Sequence, residues 1–171
     1  MTNSGAQQGK VFDAPFKGSI RSVKEEWIDY NGHFNMAYYS VLFDECCDEA
    51  FRLVGLGPEY VKERNCSYFT LAAQVNYLRE LKAGDEVSMT LQMYDFDAKR
   101  IHFFLHMYHA KEGWLSATME SLSMHVDMNI TKSAPWPDDI RKQISAMYEA
   151  HKDLPTPDLL GKTIGIIRKV A

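Results

Sequence analysis

The spacing of apolar residues separates the chain into one long amphipathic helix and a series of strands. Between residues 36 and 54, acidic residues occupy most of the other faces, and apolar side chains recur at three- and four-residue steps: Tyr39, Phe43, Cys47, Ala50 and Val54. That period is typical of a helix with one buried face. The residue before it, Asn35, is a favourable N-cap, and Gly55 and Gly57 end the predicted helix.

Most of the rest of the chain alternates apolar and polar residues with a period of two, which predicts strands with one buried face. Because the links between the later strands are short and polar, we expect antiparallel neighbours that follow the chain as a meander. The predicted strands cover residues 16–25, 67–78, 86–96, 101–107 and 114–127.

Two shorter helices complete the prediction. Pro58 opens the first, which runs to Arg64, because proline is favourable at the first helical position. The second covers Asp138–His151, after an irregular stretch that contains prolines. A strand, a long helix and then four strands form an α+β pattern without a βαβ repeat. We therefore expect an antiparallel sheet of about five strands wrapped around one long central helix, the element with the largest apolar stripe.

The length of 171 residues and the 46% of hydrophobic residues suit a single domain, which we assign to residues 11–171. The first ten residues are polar and lack the apolar core of a secretory signal, so we expect a flexible N-terminal tail over 1–10. No apolar run approaches the roughly 18 to 20 residues of a membrane span. These features predict a soluble cytoplasmic protein without a membrane partner.

The formal charge of −4 comes without a basic stripe, which argues against nucleic acid as a partner. An anionic small molecule needs only a few local cations. Four such residues lie near the predicted strand ends: Arg79, Lys82, Lys99 and Arg100.

Neither the histidines nor the cysteines form a convincing metal or redox site. His102, His106 and His109 have helical metal-ligand spacing, but the alternation around them predicts a strand, which directs His109 away from the other two. Cys46 and Cys47 lie within the acidic helix and fit packing residues better than nucleophiles. We predict no metal.

The seven residues from Asp29 to Asn35 combine a carboxylate, an Asn-Gly turn, the imidazole of His33 and a helix cap. Free backbone N–H groups at the start of a helix can stabilise an oxyanion, so this arrangement suits an active site. The same residues also fit a plain connection, since Asn-Gly is a common turn pair and asparagine a common N-cap. A plain connection, however, needs neither Asp29 nor His33.

The motif DYNGHFNMAYY at the start of the long helix, followed by VNYLRELKAGDEV before a later strand, resembles hotdog-fold acyl-CoA thioesterases. The likeness covers residues 11–167 and is strongest to the 4-hydroxybenzoyl-CoA thioesterase-like branch, whose loop carries Asp and, three positions later, Gly. Asp29 and Gly32 occupy those positions. The resemblance implies a hotdog fold, an acyl-CoA substrate, no cofactor beyond the coenzyme A of the substrate, and assembly as a homodimer or homotetramer.

By this resemblance, Asp29 is the catalytic carboxylate, which either attacks the thioester carbonyl or activates water. Backbone N–H groups around Asn35 and Met36 would polarise the carbonyl oxygen, and the side chains of His33 and Asn35 would orient water, substrate or Asp29. The chain departs from its relatives two positions before Asp29, where they often carry an acidic residue and this sequence has Trp27.

Four further segments resemble betainyl-CoA thioesterases more narrowly: EEWIDYNGHFNMAYY, DAKRIHFF, SMHVD and APWPDDI. Aromatic faces hold trimethylammonium groups, and the candidates are Trp27, Tyr30, Trp114 and Trp136. Arg79, Lys99 and Arg100 are candidates for the coenzyme phosphates, although solvated surface charge also explains them.

Two other functions remain open within the same fold. One is an acyl-CoA or acyl-carrier binding protein without turnover. The other is a dehydratase, for which His33 is the available base in the loop.

Overall fold

A curved antiparallel sheet wraps around one long helix. The computed structural model describes residues 11–166. The helices are α1 (Met36–Arg52), α2 (Pro58–Arg64) and α3 (Asp138–His151). The four long strands are β3 (Cys66–Tyr77), β4 (Glu86–Phe96), β5 (Arg100–His109) and β6 (Leu115–Asp127), and three two-residue strands are β1 (Phe16–Lys17), β2 (Arg21–Ser22) and β7 (Lys132–Ser133). The predicted α+β architecture is confirmed.

Helix α1 supplies the centre of the core. Its N-cap is Asn35, as predicted, and its buried face meets the inward side chains of the sheet. The apolar period of the sequence marks this face correctly, because all five predicted positions are buried. The buried side chains within α1 are Tyr39, Leu42, Phe43, Cys46, Cys47, Ala50 and Phe51.

The sheet does not follow the predicted meander. Its order is β1-β4-β5-β6-β3, so β3 lies beside β6 and not beside its successor β4. The segment between β3 and β4 is not a hairpin, because Leu78 N–H and Arg79 N–H both donate to Ser116 O of β6 and Leu81 is fully buried. Leu81 O also accepts from Phe34 N–H, which joins this segment to the loop before α1.

The predicted strand over 16–25 is also wrong in detail, because it is broken into β1, β2 and a short 3-10 helix. From Lys17 to Arg21 the chain takes four steps while its partner β4 takes three. The extra residue bulges toward α1, where Ser19 N–H and Oγ both bond Glu49 Oε2, at 2.8 and 3.0 Å. A helix carboxylate therefore replaces part of the strand ladder.

The C-terminal segment crosses the outer face of the sheet. Gly161 N–H donates to Glu120 Oε2 at 2.7 Å, and Gln74 Nε2 donates to Lys162 O at 2.9 Å. Within residues 11–166, no helix is long and apolar enough to cross a membrane. The predicted tail over 1–10 lies outside the described residues.

Candidate active site

The loop before α1 is a closed hairpin. Asp29 N–H donates to His33 O and Asn35 N–H donates to Trp27 O, both at 2.9 Å. Gly32 turns the chain with a φ of +78°, a left-handed conformation that glycine adopts without the steric cost of a Cβ. The predicted role of Gly32 as the turn residue is consistent with this geometry, which fixes Asp29 just ahead of the helix.

Backbone N–H groups orient the Asp29 carboxylate. Its Oδ1 accepts from Asn31 N–H at 2.8 Å and, more weakly, from His33 N–H at 3.4 Å. The residue is partly exposed and lines a cavity of about 500 Å³ at the start of α1. A side chain held by local backbone in this way is positioned before any ligand arrives.

The same cavity contains the first turn of α1. Two N–H groups of this turn are hydrogen-bonded to the cap residue Asn35. Asn35 Oδ1 accepts from Ala37 N–H and Asn35 O accepts from Tyr38 N–H, both at 3.0 Å. Among residues 11–166, the Met36 N–H has no acceptor in this turn. Both Asn35 and Met36 line the cavity with Asp29. A carboxylate and a free amide donor at the positive end of a helix therefore share one space.

An aromatic wall closes one side of this cavity. The rings of Phe34 and Tyr39 lie 4.3 Å apart, and Tyr77 meets Tyr39 edge-on at 5.1 Å. Burial raises the pKa of Tyr39. Sequence reasoning missed Tyr39 and Tyr77; Tyr39, one turn after Met36, could have been found from helical spacing, whereas Tyr77 reaches the site only through the pairing of β3 with β6.

The His33 side chain turns toward Glu80. Its Nε2 lies 3.1 Å from Glu80 Oε2, and Glu80 itself lines the cavity. The His33 side chain thus contacts a residue that lines the cavity, and the His33 backbone N–H donates to Asp29.

The four predicted aromatic residues do not converge. Only Tyr30 among them lines the cavity, and it is 98% exposed. Trp27 stacks on Tyr38 at 5.3 Å and carries the Lys24 ammonium 4.7 Å from its ring. Trp114 and Trp136 pack elsewhere: the Arg79 guanidinium covers Trp114 at 4.0 Å, and Trp136 is buried against His125.

The predicted cations also separate in the single chain. Of the three candidates for the coenzyme phosphates, which are Arg79, Lys99 and Arg100, only Arg79 lines the cavity. Lys99 and Arg100 lie where β5 begins, beside Met124, whereas the cavity lies near Ala117, about 24 Å along β6. Arg100 also binds Asp97 at 2.5 and 2.8 Å and lowers the pKa of that carboxyl to about 2.

The cysteines are packing residues, as predicted for Cys46 and Cys47. Both are buried in α1, and burial raises the pKa of Cys46 to about 12 and that of Cys47 well above the usual value for a thiol. Over the described part of the chain, no group of three His, Cys, Asp or Glu side chains is placed to hold a metal ion.

Comparison with known proteins identifies the family. Residues 23–144 match the model of the thioesterase-like superfamily. The chain belongs to this superfamily. It is 33% identical over 144 residues to a betainyl-CoA thioesterase from Pseudomonas aeruginosa, a match covering 84% of this chain and 91% of that protein. The predicted thioesterase family and its fold are confirmed.

Two further relatives of this thioesterase-like chain extend the comparison. It is 34% identical to an L-carnitine dehydrogenase/betainyl-CoA thioesterase from Rhizobium meliloti over 94% of this chain, but it spans only 33% of that longer protein. A hypothetical protein from Staphylococcus aureus, solved in complex with CoA, superposes with a TM-score of 0.84 at 29% identity. That match covers 92% of this chain and 99% of the other.

Proposed function

We propose that this chain hydrolyses an acyl-CoA thioester to a free acid and coenzyme A, with Asp29 as the catalytic carboxylate. The observation that carries the proposal is that Asp29 and the free N–H of Met36 open onto one cavity. The names of the Pseudomonas and Rhizobium relatives and the CoA complex of the Staphylococcus neighbour support the substrate class.

The geometry suggests how the reaction proceeds. The thioester carbonyl oxygen accepts from Met36 N–H, which stabilises the negative charge that develops when the carbonyl carbon is attacked. Asn35 holds the adjacent N–H groups of the helix and so keeps this donor in place. Coenzyme A leaves as a thiolate and is then protonated.

Asp29 can act in two ways. As a nucleophile it forms a mixed anhydride, which water then hydrolyses; as a general base it takes a proton from the water that attacks the thioester. A single turnover in H₂¹⁸O with excess enzyme tests for the anhydride. ¹⁸O in Asp29 establishes the nucleophilic route, because only water attack on the Asp29 carbonyl of an anhydride places it there; ¹⁸O in the product acid alone fits general-base catalysis or water attack on the acyl carbonyl of the anhydride.

Betainyl-CoA is the substrate we propose, by similarity to the relatives of that name. The test is release of free thiol from a panel of betainyl-, acetyl-, butyryl- and benzoyl-CoA by the purified full chain. We expect hydrolysis with betainyl-CoA preferred. Tight binding of these thioesters without thiol release would instead indicate the binding protein, and loss of water from a 3-hydroxyacyl-CoA would indicate the dehydratase.

The proposed assembly is a homodimer paired through β3. This strand bonds β6 along one edge, and no described strand pairs with its other edge. Phe69 and Leu71 are close to half exposed on the same strand. An open strand edge with apolar side chains is a natural pairing surface.

A further inference from the structure

The position of the cation in the proposed substrate limits where it can bind. In a betainyl group the quaternary nitrogen is one methylene from the thioester carbonyl, about 2.5 Å from that carbon, which is the N–Cα–C spacing of an amino acid. When the carbonyl oxygen contacts Met36 N–H, the trimethylammonium must therefore lie in the same cavity. Groups elsewhere on the chain are out of reach.

A quaternary ammonium has no N–H to donate, so it is recognised by aromatic faces and by negative charge. The cavity offers both. Its lining includes the carboxylates of Asp29 and Glu80 and the rings of Tyr30, Tyr39 and Tyr77. Among the described lining residues, the one guanidinium is that of Arg79, which lies over the Trp114 ring.

Tyr77 is the ring best placed for this contact. Its hydroxyl donates to Met36 O at 3.2 Å, so the ring is anchored beside the proposed oxyanion donor. The edge-on contact with Tyr39, at an interplanar angle of 80°, covers at most one face of the ring. Tyr77 remains 46% exposed, whereas Tyr39 is buried and Tyr30 stands almost wholly in solvent.

Resting on the proposed function, we infer that the face of Tyr77 binds the trimethylammonium group and makes the enzyme selective for quaternary-ammonium acyl-CoAs. Tyr77 is therefore a specificity residue rather than a participant in bond breaking. The three tryptophans do not serve this purpose in the single chain, because they pack against Tyr38, Arg79 and His125.

A matched pair of substrates isolates the cation. 3,3-Dimethylbutyryl-CoA has the shape of betainyl-CoA with carbon in place of the charged nitrogen. We expect the wild-type kcat/KM ratio of betainyl to dimethylbutyryl thioester to exceed one and to fall about 3- to 30-fold in Tyr77→Leu, the range for loss of a cation–π contact. Tyr77→Phe keeps the ring and should keep the ratio.

One control and one alternative set of variants keep the result interpretable. Tyr94→Leu removes an exposed tyrosine that contacts His102, away from the cavity, and should leave the ratio unchanged. If Tyr77→Leu does not fold, mono-, di- and trifluorinated phenylalanine at position 77 weakens the ring quadrupole without changing its shape much. The ratio should then fall stepwise with fluorine number.

An unchanged ratio in Tyr77→Leu, or across the fluorinated series, overturns the inference, as does a wild-type enzyme without preference for the cationic substrate. These outcomes are distinct from failure of the proposed function, in which neither thioester is hydrolysed.

Discussion

The hydroxyl of Tyr77 donates to the carbonyl oxygen of Met36 at 3.2 Å, which joins the end of β3 to the first residue of α1. This bond links two parts of the chain that are distant in sequence and that both line the proposed site. The position of the Met36 N–H is thus set by two contacts: the Asn35 cap of α1 and the hydrogen bond from Tyr77 of the sheet.

The cap is the first testable element. Asn35→Ala removes the oxygen that accepts from Ala37 N–H, and we expect it to lower the free energy of unfolding by about 1 kcal/mol and to lower kcat. Asn35→Ser retains a capping oxygen and should restore most of the stability. Chemical denaturation and thiol-release assays measure the two effects. Equal stability of the alanine and asparagine forms would show that the cap does not support α1.

The absence of a side chain at Gly18 allows the first strand to pass close to Cys46 of α1. A Cβ at position 18 would lie 2.9 Å from Cys46 Sγ. We expect Gly18→Ala to cost about 1–3 kcal/mol through overpacking. Cys46→Ala removes the opposing sulfur, so Gly18→Ala should cost much less in that background. A cost that is the same in both backgrounds, measured as a double-mutant cycle, would refute this contact as the cause.

Protonation of His151 should destabilise the fold. His151 is fully buried; its Nδ1 accepts from Met93 N–H at 2.9 Å, so the proton resides on Nε2, which donates to Asp13 O at 2.7 Å. Burial lowers the pKa of His151 from its usual 6.5, and it lowers the pKa of His106 likewise. Below pH 6.5 the unfolded chain therefore takes up protons that the folded chain excludes.

The expected result is a free energy of unfolding that falls as the pH drops below 6.5, by up to about 1.4 kcal/mol per pH unit for each histidine. His151→Gln removes one of these protons and should flatten the dependence between pH 6.5 and 5. Urea titrations at several pH values measure it. A slope equal to that of the wild type would exclude His151 as a source.

The outer edge of β3 should control assembly. We expect the wild-type chain to sediment as a dimer or larger oligomer, and Leu71→Lys to shift it toward monomer by placing a charge on the proposed interface. Ile20→Lys changes another exposed apolar side chain, between β1 and β2 at the opposite edge of the sheet, and should have no effect. A monomeric wild type, or a Leu71→Lys variant that assembles normally, would contradict the β3 interface.

Local signals in the sequence predicted most elements but not their arrangement. The Asn35 cap and the proline at position 58 mark helix starts that the structure confirms, and the alternation over Glu86–Phe96 marks β4 at its observed bounds. The pairing of β3 with β6 depends on contacts between distant segments and has no local signature.

The same distinction applies to the site. The residues from Asp29 to Met36 are contiguous, so their clustering could be predicted from the sequence. Tyr77 and Glu80 come from the end of β3 and the segment after it. They lie within the motif VNYLRELKAGDEV, but nothing in that motif indicates that they meet Asp29 in space. The cation–π contact between Arg79 and Trp114 likewise could not be predicted from the sequence, because it depends on how the folded sheet brings the two residues together.

The most direct test of the account is the kcat of Asp29→Asn on betainyl-CoA. Asparagine keeps the shape and an Oδ1 acceptor for Asn31 N–H, but it can neither attack the thioester nor take a proton. The matched control is Asp127→Asn, because Asp127 Oδ1 accepts from Asn129 N–H at 2.9 Å in the same type of turn, away from the cavity. We predict that Asp29→Asn lowers kcat by about 10²- to 10⁴-fold while Asp127→Asn retains wild-type kcat. Equal rates for Asp29→Asn and wild type would contradict the assignment of Asp29 as the catalytic carboxylate.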